Sequence, residues 1–218
     1  MTLKRIVVIL ICLTFMQAFS SAMASTTVSA KLLAAIKKTK GTAAYGRVKA
    51  WQALINNNKN KSTKDKLKLT NHFFNRFTYR SDQALVGKED YWMTPLEFAV
   101  RGTGDCEDYA IAKYFTLKAL NVPQNKLQIV YAKSVKYNRA HMVLAYYETP
   151  SSDPLILDSL TNEISTGSNR TDLIPTYSFN AGGLWLAKQR GMGKQVGSSD
   201  RLSAWQGVIR RMGRFIYE

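Results

Sequence analysis

The apolar residues of this chain change period at Pro123. Before that point they recur at helical spacing. Val48, Trp51, Leu54 and Ile55 mark one face, Leu69, Phe73 and Phe77 another, and Ala110, Tyr114 and Leu117 a third. After it they alternate, so that 127–135, 141–148 and 155–160 read as strands. The breaks between them, Tyr137-Asn138-Arg139 and Thr149 to Asp153, are short. Such connections make hairpins, which predicts an antiparallel sheet. Helices followed by a run of strands predict an α+β fold in one domain.

Local signals divide the helical half. Ser29 to Lys38 carries Leu32, Leu33 and Ile36 and reads as an opening helix. The polar stretch 56–61 breaks the pattern, and Ser62 with Asp65 forms a capping box for the next helix. Thr94-Pro95-Leu96-Glu97 is a stronger start, with Thr at the N-cap, Pro at the first position and Glu at the third. That short helix should stop at Gly102 and Gly104. Another begins at Cys106 and ends at Asn121, with Pro123 just beyond. The tail after Gly182 is basic and glycine-dotted, with a last helix near Arg201 to Arg211.

The first 24 residues read as a secretory signal. Lys4 and Arg5 precede the apolar run Ile6 to Phe15, and Ala22-Met23-Ala24 supplies a small-residue cleavage site. The run is short for a span of roughly 20 residues, so no stable membrane insertion is expected after cleavage. The expected mature domain is 25–218, and its formal charge falls from +16 to +14. Hydrophobic residues at 45% are enough for a core and exclude a disordered chain. Two cysteines and two histidines exclude a disulfide scaffold and a Cys/His zinc site. Cys12 leaves with the signal, which makes Cys106 the lone mature thiol. Such a thiol is intermolecularly bonded, buried and inert, or reactive.

Its position favours reactivity. Gly102-Thr103-Gly104-Asp105-Cys106 sets the thiol at a helix N-terminus, where free amides and the helix dipole stabilise a thiolate. A nucleophilic Cys needs a base, and the base an orienting group. His141 opens one strand and Asp158 lies near the end of the next. By alternation His141, Val143 and Ala145 share a face, as do Ile156 and Asp158. If that face lies on the Cys106 helix, the three side chains meet. His72, beside Phe73 and Phe74, is read as structural. Asp105, Glu107 and Asp108 crowd the thiol and should raise its pKa. Either they cap the helix, or they are neutralised by a hard cation; several carboxylates plus loop carbonyls suit Ca²⁺.

These residues carry a resemblance. Tyr91-Trp92-x-Thr94-Pro95, the run Gly104-Asp105-Cys106-Glu107-Asp108-Tyr109-Ala110-Ile111-Ala112-Lys113-Tyr114, His141-Met142-Val143-Leu144 and Leu157-Asp158 resemble the bacterial transglutaminase-like cysteine proteinases, in particular the periplasmic adhesin-cleaving members. The resemblance runs from about Trp51 to Leu186. It implies a papain/transglutaminase-like fold, with the nucleophile helix packed on an antiparallel sheet, and a triad of Cys106, His141 and Asp158. It implies calcium held by Asp105 and Glu107, with Asp108 a further acid beside them. It implies a substrate, the N-terminal region of a large repeat adhesin cut at a di-alanine site, and hence biofilm dispersal. It also implies sequestration by the periplasmic domain of an inner-membrane cyclic di-GMP receptor. The Cys106 N–H is the first choice of oxyanion donor and Trp92 the second.

Other readings compete. The same triad serves a transglutaminase-like amidase or acyltransferase. The basic charge alone would suit a non-catalytic surface-binding module for nucleic acid, lipopolysaccharide or membrane. Export argues against nucleic acid, and no aromatic-basic motif for it is present. Lys37-Lys38, Lys64 to Lys68 and Arg210-Arg211 read as solvated faces. An inactive homologue should lack a triad member, and none is missing.

Overall fold

The computed structural model describes residues 28–81, 91–188 and 190–214; the signal at 1–24, with Cys12, lies outside the described residues. Helix α1, Ala30–Asn58, begins at Ser29, whose hydroxyl accepts the Leu32 N–H at 3.2 Å. It joins the two helical stretches expected separately. Their junction survives as a kink at Gly41, where φ is 83°, a value glycine adopts without steric cost. Helix α2, Thr63–Phe74, starts at Ser62, whose hydroxyl accepts the Asp65 N–H at 3.1 Å.

The stripe predicted for α2 is corrected. Leu69 is 36% exposed, whereas Leu67, Phe73 and Phe74 are buried. The inward face runs 67, 70, 71, 74, the i, i+3, i+4, i+7 spacing, and Leu69 falls on the opposite side. Phe77 lies past the helix end but packs its ring on Phe73, Phe74 and Phe98.

Helix α3, Pro95–Arg101, has the capping box its sequence promised. Thr94 accepts the Glu97 N–H at 3.2 Å, and Glu97 accepts the Thr94 N–H at 2.7 Å. It ends at Gly102 in the left-handed region, φ 72°. Two-residue strands β1, Thr78–Tyr79, and β2, Thr103–Gly104, pair in parallel. Helix α4, Cys106–Ala119, follows at once.

The second half is a seven-stranded antiparallel sheet of order β6-β5-β4-β3-β7-β8-β9. Its strands are β3 Leu127–Ser134, β4 Arg139–Tyr146, β5 Leu155–Leu157, β6 Ser165–Thr166, β7 Leu173–Asn180, β8 Gly183–Leu186 and β9 Gln195–Gly197. Helix α5, Ser203–Arg214, closes the described chain. The sheet is larger than the three strands read from the sequence. Pro175 hides β7, because proline within a run argues against a paired strand. It is accommodated because the β3–β7 register shifts between Tyr131 and Ala132, a bulge opposite that segment.

One sheet face packs on α4 and α5. Ile129, Met142, Leu144, Leu157 and Phe179 meet Ile111, Tyr114, Leu117, Trp205 and Val208 there. The opposite side of α4 enters the helical cluster through Tyr109 and Ala112, with Trp51, Phe74 and Phe98. Trp51 Nε1 donates to Thr116 Oγ1 at 2.8 Å, so its indole N–H is satisfied inside the core. Helix α4 is thus enclosed on both sides, and residues 108–117 are all buried. Each large apolar side chain fully buried in this way contributes about 1.5–3 kcal/mol. Among the described residues no helix is long and apolar enough to cross a membrane.

Candidate active site

The start of α4 is held from behind by a carboxylate. Asp108 is fully buried, and its two oxygens accept the N–H groups of Met93 at 2.8 Å and Asp105 at 3.2 Å. Gly104 makes room for this fold-back: a Cβ there would lie 2.3 Å from Asp108 Oδ2. Burial pushes the Asp108 carboxyl well up; the Met93 N–H opposes this and the charges of Asp105 and Glu107 add to it. Asp108 therefore bolts the turn between α3 and α4, and its oxygens are already engaged with backbone.

Cys106 opens α4 and is half-buried, one edge packed against the sheet-side core. Its Sγ lies 3.2 Å from Glu107 Oε2 and receives the backbone N–H of Met142 on β4. Burial pushes the thiol well above its ordinary range; the Glu107 charge and hydrogen bond and the Asp105 charge push the same way, and the Met142 N–H pulls down. The acids do oppose the helix dipole, as the sequence suggested. The Cys106 N–H lies in the first turn, where amides have no intrahelical acceptor.

His141 and Asp158 form a buried pair. Nε2 lies 2.7 Å from Asp158 Oδ1, with His141 3% and Asp158 0% exposed. An ionised carboxylate only accepts, so Nε2 carries the donated proton, and the lone pair of the neutral imidazole is on Nδ1. Asp158 also accepts the Leu160 N–H at 3.1 Å, and its Oδ2 takes Arg170 at 2.7 Å. Arg170 is held in turn by Asp172 through two bonds of 2.8 Å. Burial alone would raise the Asp158 carboxyl. The His141 hydrogen bond and charge, the Leu160 N–H and Arg170 outweigh it and hold the group well below the usual carboxylate range.

The expected route by which these residues meet is corrected. Val143, Ala145 and Ile156 form a separate cluster with Val130 and Leu173; the face on α4 is that of Met142 and Leu144. His141 and Asp158 come together at strand ends instead. β5 stops at Leu157, so Asp158 is free of the ladder and turns to His141. The thiol reaches the backbone of Met142, the residue next to His141. The His141–Asp158 pair thus stands near the start of β4, and the Cys106 thiol bonds the amide of the neighbouring residue there.

The other candidates separate from this group. His72 is exposed on α2, while its neighbours Phe73 and Phe74 are buried. Trp92 is buried, stacked on Phe179 at 5.6 Å, with its carbonyl bonded by Arg211 of α5. Several site residues escaped the sequence reading. Arg170 stands in a polar loop with no motif around it. Tyr79 and Arg139 flank the thiol side: burial and the Cys106, Asp105 and Glu107 charges raise the Tyr79 phenol, and Arg139 lies 5.9 Å from its ring. Lys113 sits in an apolar helical run, where a lysine is expected to reach solvent.

A cation site was expected at Asp105 and Glu107. The two carboxylates flank the thiol, and both bear on the titration of Cys106, Asp108 and Tyr79. They are hard oxygen donors of the kind Ca²⁺ takes, with carbonyls or water completing its six to eight ligands. Among the described residues no three His, Cys, Asp or Glu side chains form a ready metal cage. The pair fits part of a calcium shell and not a zinc site.

Comparison with known proteins gives a consistent relationship. Residues 52–173 match a family model described as bacterial transglutaminase-like cysteine proteinase. A solved structure of Legionella pneumophila LapG is 47% identical, covers 83% of this chain and 97% of its own, and superposes with a TM-score of 0.72. An EGTA-treated LapG from the same organism gives the same values. A calcium-bound LapG, also 47% identical, covers 83% of this chain and 98% of its own at a TM-score of 0.70. No curated protein matched the chain.

Proposed function

The chain belongs to the bacterial transglutaminase-like cysteine proteinases, and from that premise we propose that it is an exported, calcium-dependent endopeptidase acting in the periplasm. Its substrate is the N-terminal region of a large repeat adhesin, cut at a di-alanine site, which frees the adhesin and disperses the biofilm. The periplasmic domain of an inner-membrane cyclic di-GMP receptor is its regulatory partner. The observation that carries the catalytic part is the buried His141–Asp158 pair at 2.7 Å, one residue from the amide that touches the Cys106 thiol.

The chemistry assigns each residue a step. His141 Nδ1 takes the Cys106 proton, and the thiolate attacks the scissile carbonyl. Asp158 fixes the imidazole tautomer and stabilises the imidazolium that forms. The Cys106 N–H, at the positive end of α4, faces the developing oxyanion. His141 then gives its proton to the leaving amine, and water, deprotonated by His141, hydrolyses the thioester and restores the thiol. Asp105 and Glu107 would hold calcium, whose charge beside the sulfur offsets their own and favours the thiolate. The calcium-bound and EGTA-treated LapG structures support this assignment.

The test is cleavage of a purified adhesin N-terminal region by the mature protein, with chelator and with added calcium. Cleavage in calcium, its loss in chelator and its absence from Cys106→Ala are expected. Mg²⁺ should restore activity poorly, because it demands a small octahedral site and dehydrates reluctantly. Calcium should also raise the melting temperature by mass action, and Asp105→Ala or Glu107→Ala should abolish that shift. Equal activity and equal melting in chelator would reduce the two acids to helix capping. Transfer of the acyl group to an added amine, without hydrolysis, would favour the acyltransferase reading.

A further inference from the structure

Lys113 lies seven positions after Cys106 on α4, two turns along the same face. It is fully buried, and its one hydrogen bond among the described residues runs from Nζ to the Asp158 carbonyl at 3.0 Å. The Tyr109 ring, at 5.7 Å, is its other close partner. The same carbonyl accepts Asn75 Nδ2 at 2.9 Å, and that amide also reaches the Thr161 carbonyl at 2.7 Å. Asn71 of α2 donates to the Thr161 and Asn162 carbonyls at 3.1 and 3.3 Å. The loop after β5 is therefore strapped to α2 and α4 through its backbone, while the Asp158 carboxylate is held by His141 and Arg170.

A lysine in such a place is costly. Removing an amino group that carries charge from water is strongly unfavourable unless it is well compensated. A methionine would fill the same volume without that cost. The packing of α4 does not explain a lysine here; the carbonyl it reaches does.

We propose that Lys113 is a positioning residue, which ties the nucleophile helix to the Asp158 loop and so sets Asp158 against His141. This rests on the triad assigned above. Lys113 touches no substrate; it acts through the backbone of Asp158. Loss of the tie lets the loop shift relative to α4, and a displacement of about 1 Å in such a constellation costs on the order of a hundredfold in rate.

The experiment uses the mature chain in calcium-containing buffer and the variant Lys113→Met. The chain has two histidines, and His72 is exposed, so the ring proton on His141 Nε2 is readily assigned by nitrogen-15 NMR. In the wild type it should exchange slowly, protected by Asp158. In Lys113→Met its exchange should speed up at least about tenfold, and kcat should fall by about ten- to a hundredfold with KM unchanged. Melting temperature should hold or rise. In an Asp158→Ala background Lys113→Met should cost nothing further. Wild-type ring-proton exchange and wild-type kcat in a folded Lys113→Met overturn the proposal, as does an equal loss in the Asp158→Ala background. If Lys113→Met does not fold, Asn75→Ala, which removes the second donor to the same carbonyl, is read by the same two measurements. The ring proton needs no substrate. A protected proton released by Lys113→Met, in a protein that cleaves nothing, would sink the protease reading and leave the positioning intact.

Discussion

At the residue scale, the three candidate side chains were legible as candidates, and what holds them was not. A lone cysteine between a Gly-x-Gly turn and a helix is a local signal, and so is a histidine opening a strand. Arg170 reaches Asp158 from a loop whose sequence gives no reason to expect it, because the ion pair is made by the chain's return path and not by spacing. Lys113 was invisible for a different reason. Its neighbours Ala112 and Tyr114 predict a helix with one solvent face, and α4 has none. Two predictions belong at this scale. His141→Ala and Asp158→Ala should each cut the single-turnover rate by several orders of magnitude, on the order of 10⁴-fold, to a measurable residual, and the double variant should lose no more than the worse single variant, as residues that act as a unit do. Single-turnover rates of the three proteins check this; additive losses would mean independent roles. The second concerns pH. Burial pushes Lys113 down to about 7, against a pull upward from Asp158. Unfolded, it titrates at about 10.4. Between those values the unfolded chain carries a proton that the folded chain has shed, so stability rises with pH. The cost of burying the charge is complete below about 7 and is relieved above it. Urea midpoints at pH 7 and 8.5 should differ more in the wild type than in Lys113→Met, by up to about 2 kcal/mol after conversion. Parallel slopes would show Lys113 to stay charged.

At the element scale, caps were read well and faces were not. Ser62, Thr94 and Gly102 end or begin helices where the sequence placed them, because a cap is a contact within a few residues. Which side of a strand meets a helix depends on the whole sheet. Alternation groups His141 with Val143 and Ala145, yet it does not say that the helix covers the face of Met142 and Leu144 instead. The α3–α4 turn is where local and long-range demands combine. Gly104 lets Asp108 reach back to Met93 and Asp105, and no other residue fits without moving that carboxylate. Gly104→Ala should therefore destabilise the protein by about 1–3 kcal/mol, the usual cost of overpacking. It should also weaken calcium binding, since Asp105 and Glu107 stand on the displaced turn. Chemical denaturation and calcium titration of the variant measure both effects. A stable variant with unaltered calcium affinity would mean that the turn relaxes and that Asp108 is not its anchor.

At the scale of the whole molecule, the nucleophile helix is the shared wall of two cores. Tyr109 and Ala112 face the helices, and Ile111, Tyr114 and Leu117 face the sheet. The sheet-side core is closed by α5. Trp205 is 1% exposed, stacks on Phe115 at 5.5 Å and meets Tyr114 and Phe179 edge-on at 5.8 and 5.3 Å. Arg211 of the same helix bonds the Trp92 carbonyl and pairs with Glu97 at 3.3 Å. The C-terminal helix, which the sequence offered only as a basic tail element, thus backs the far half of α4 and braces the start of α3. Trp205, Val208, Ile209 and Met212 recur at i, i+3, i+4 and i+7, the spacing of one inward face, and they join the sheet-side core; the spacing announces a buried face but not which core it meets. Trp205→Ala should cost about 3–5 kcal/mol through the cavity it leaves. The loss should appear in activity as well as in stability, because α4 carries Cys106 at its first position and Lys113 at its eighth. Urea unfolding and kcat, measured well below the new melting temperature, separate the two. A variant weakened by the full amount but catalysing at the wild-type rate while folded would show that α4 holds its place through the helical core alone.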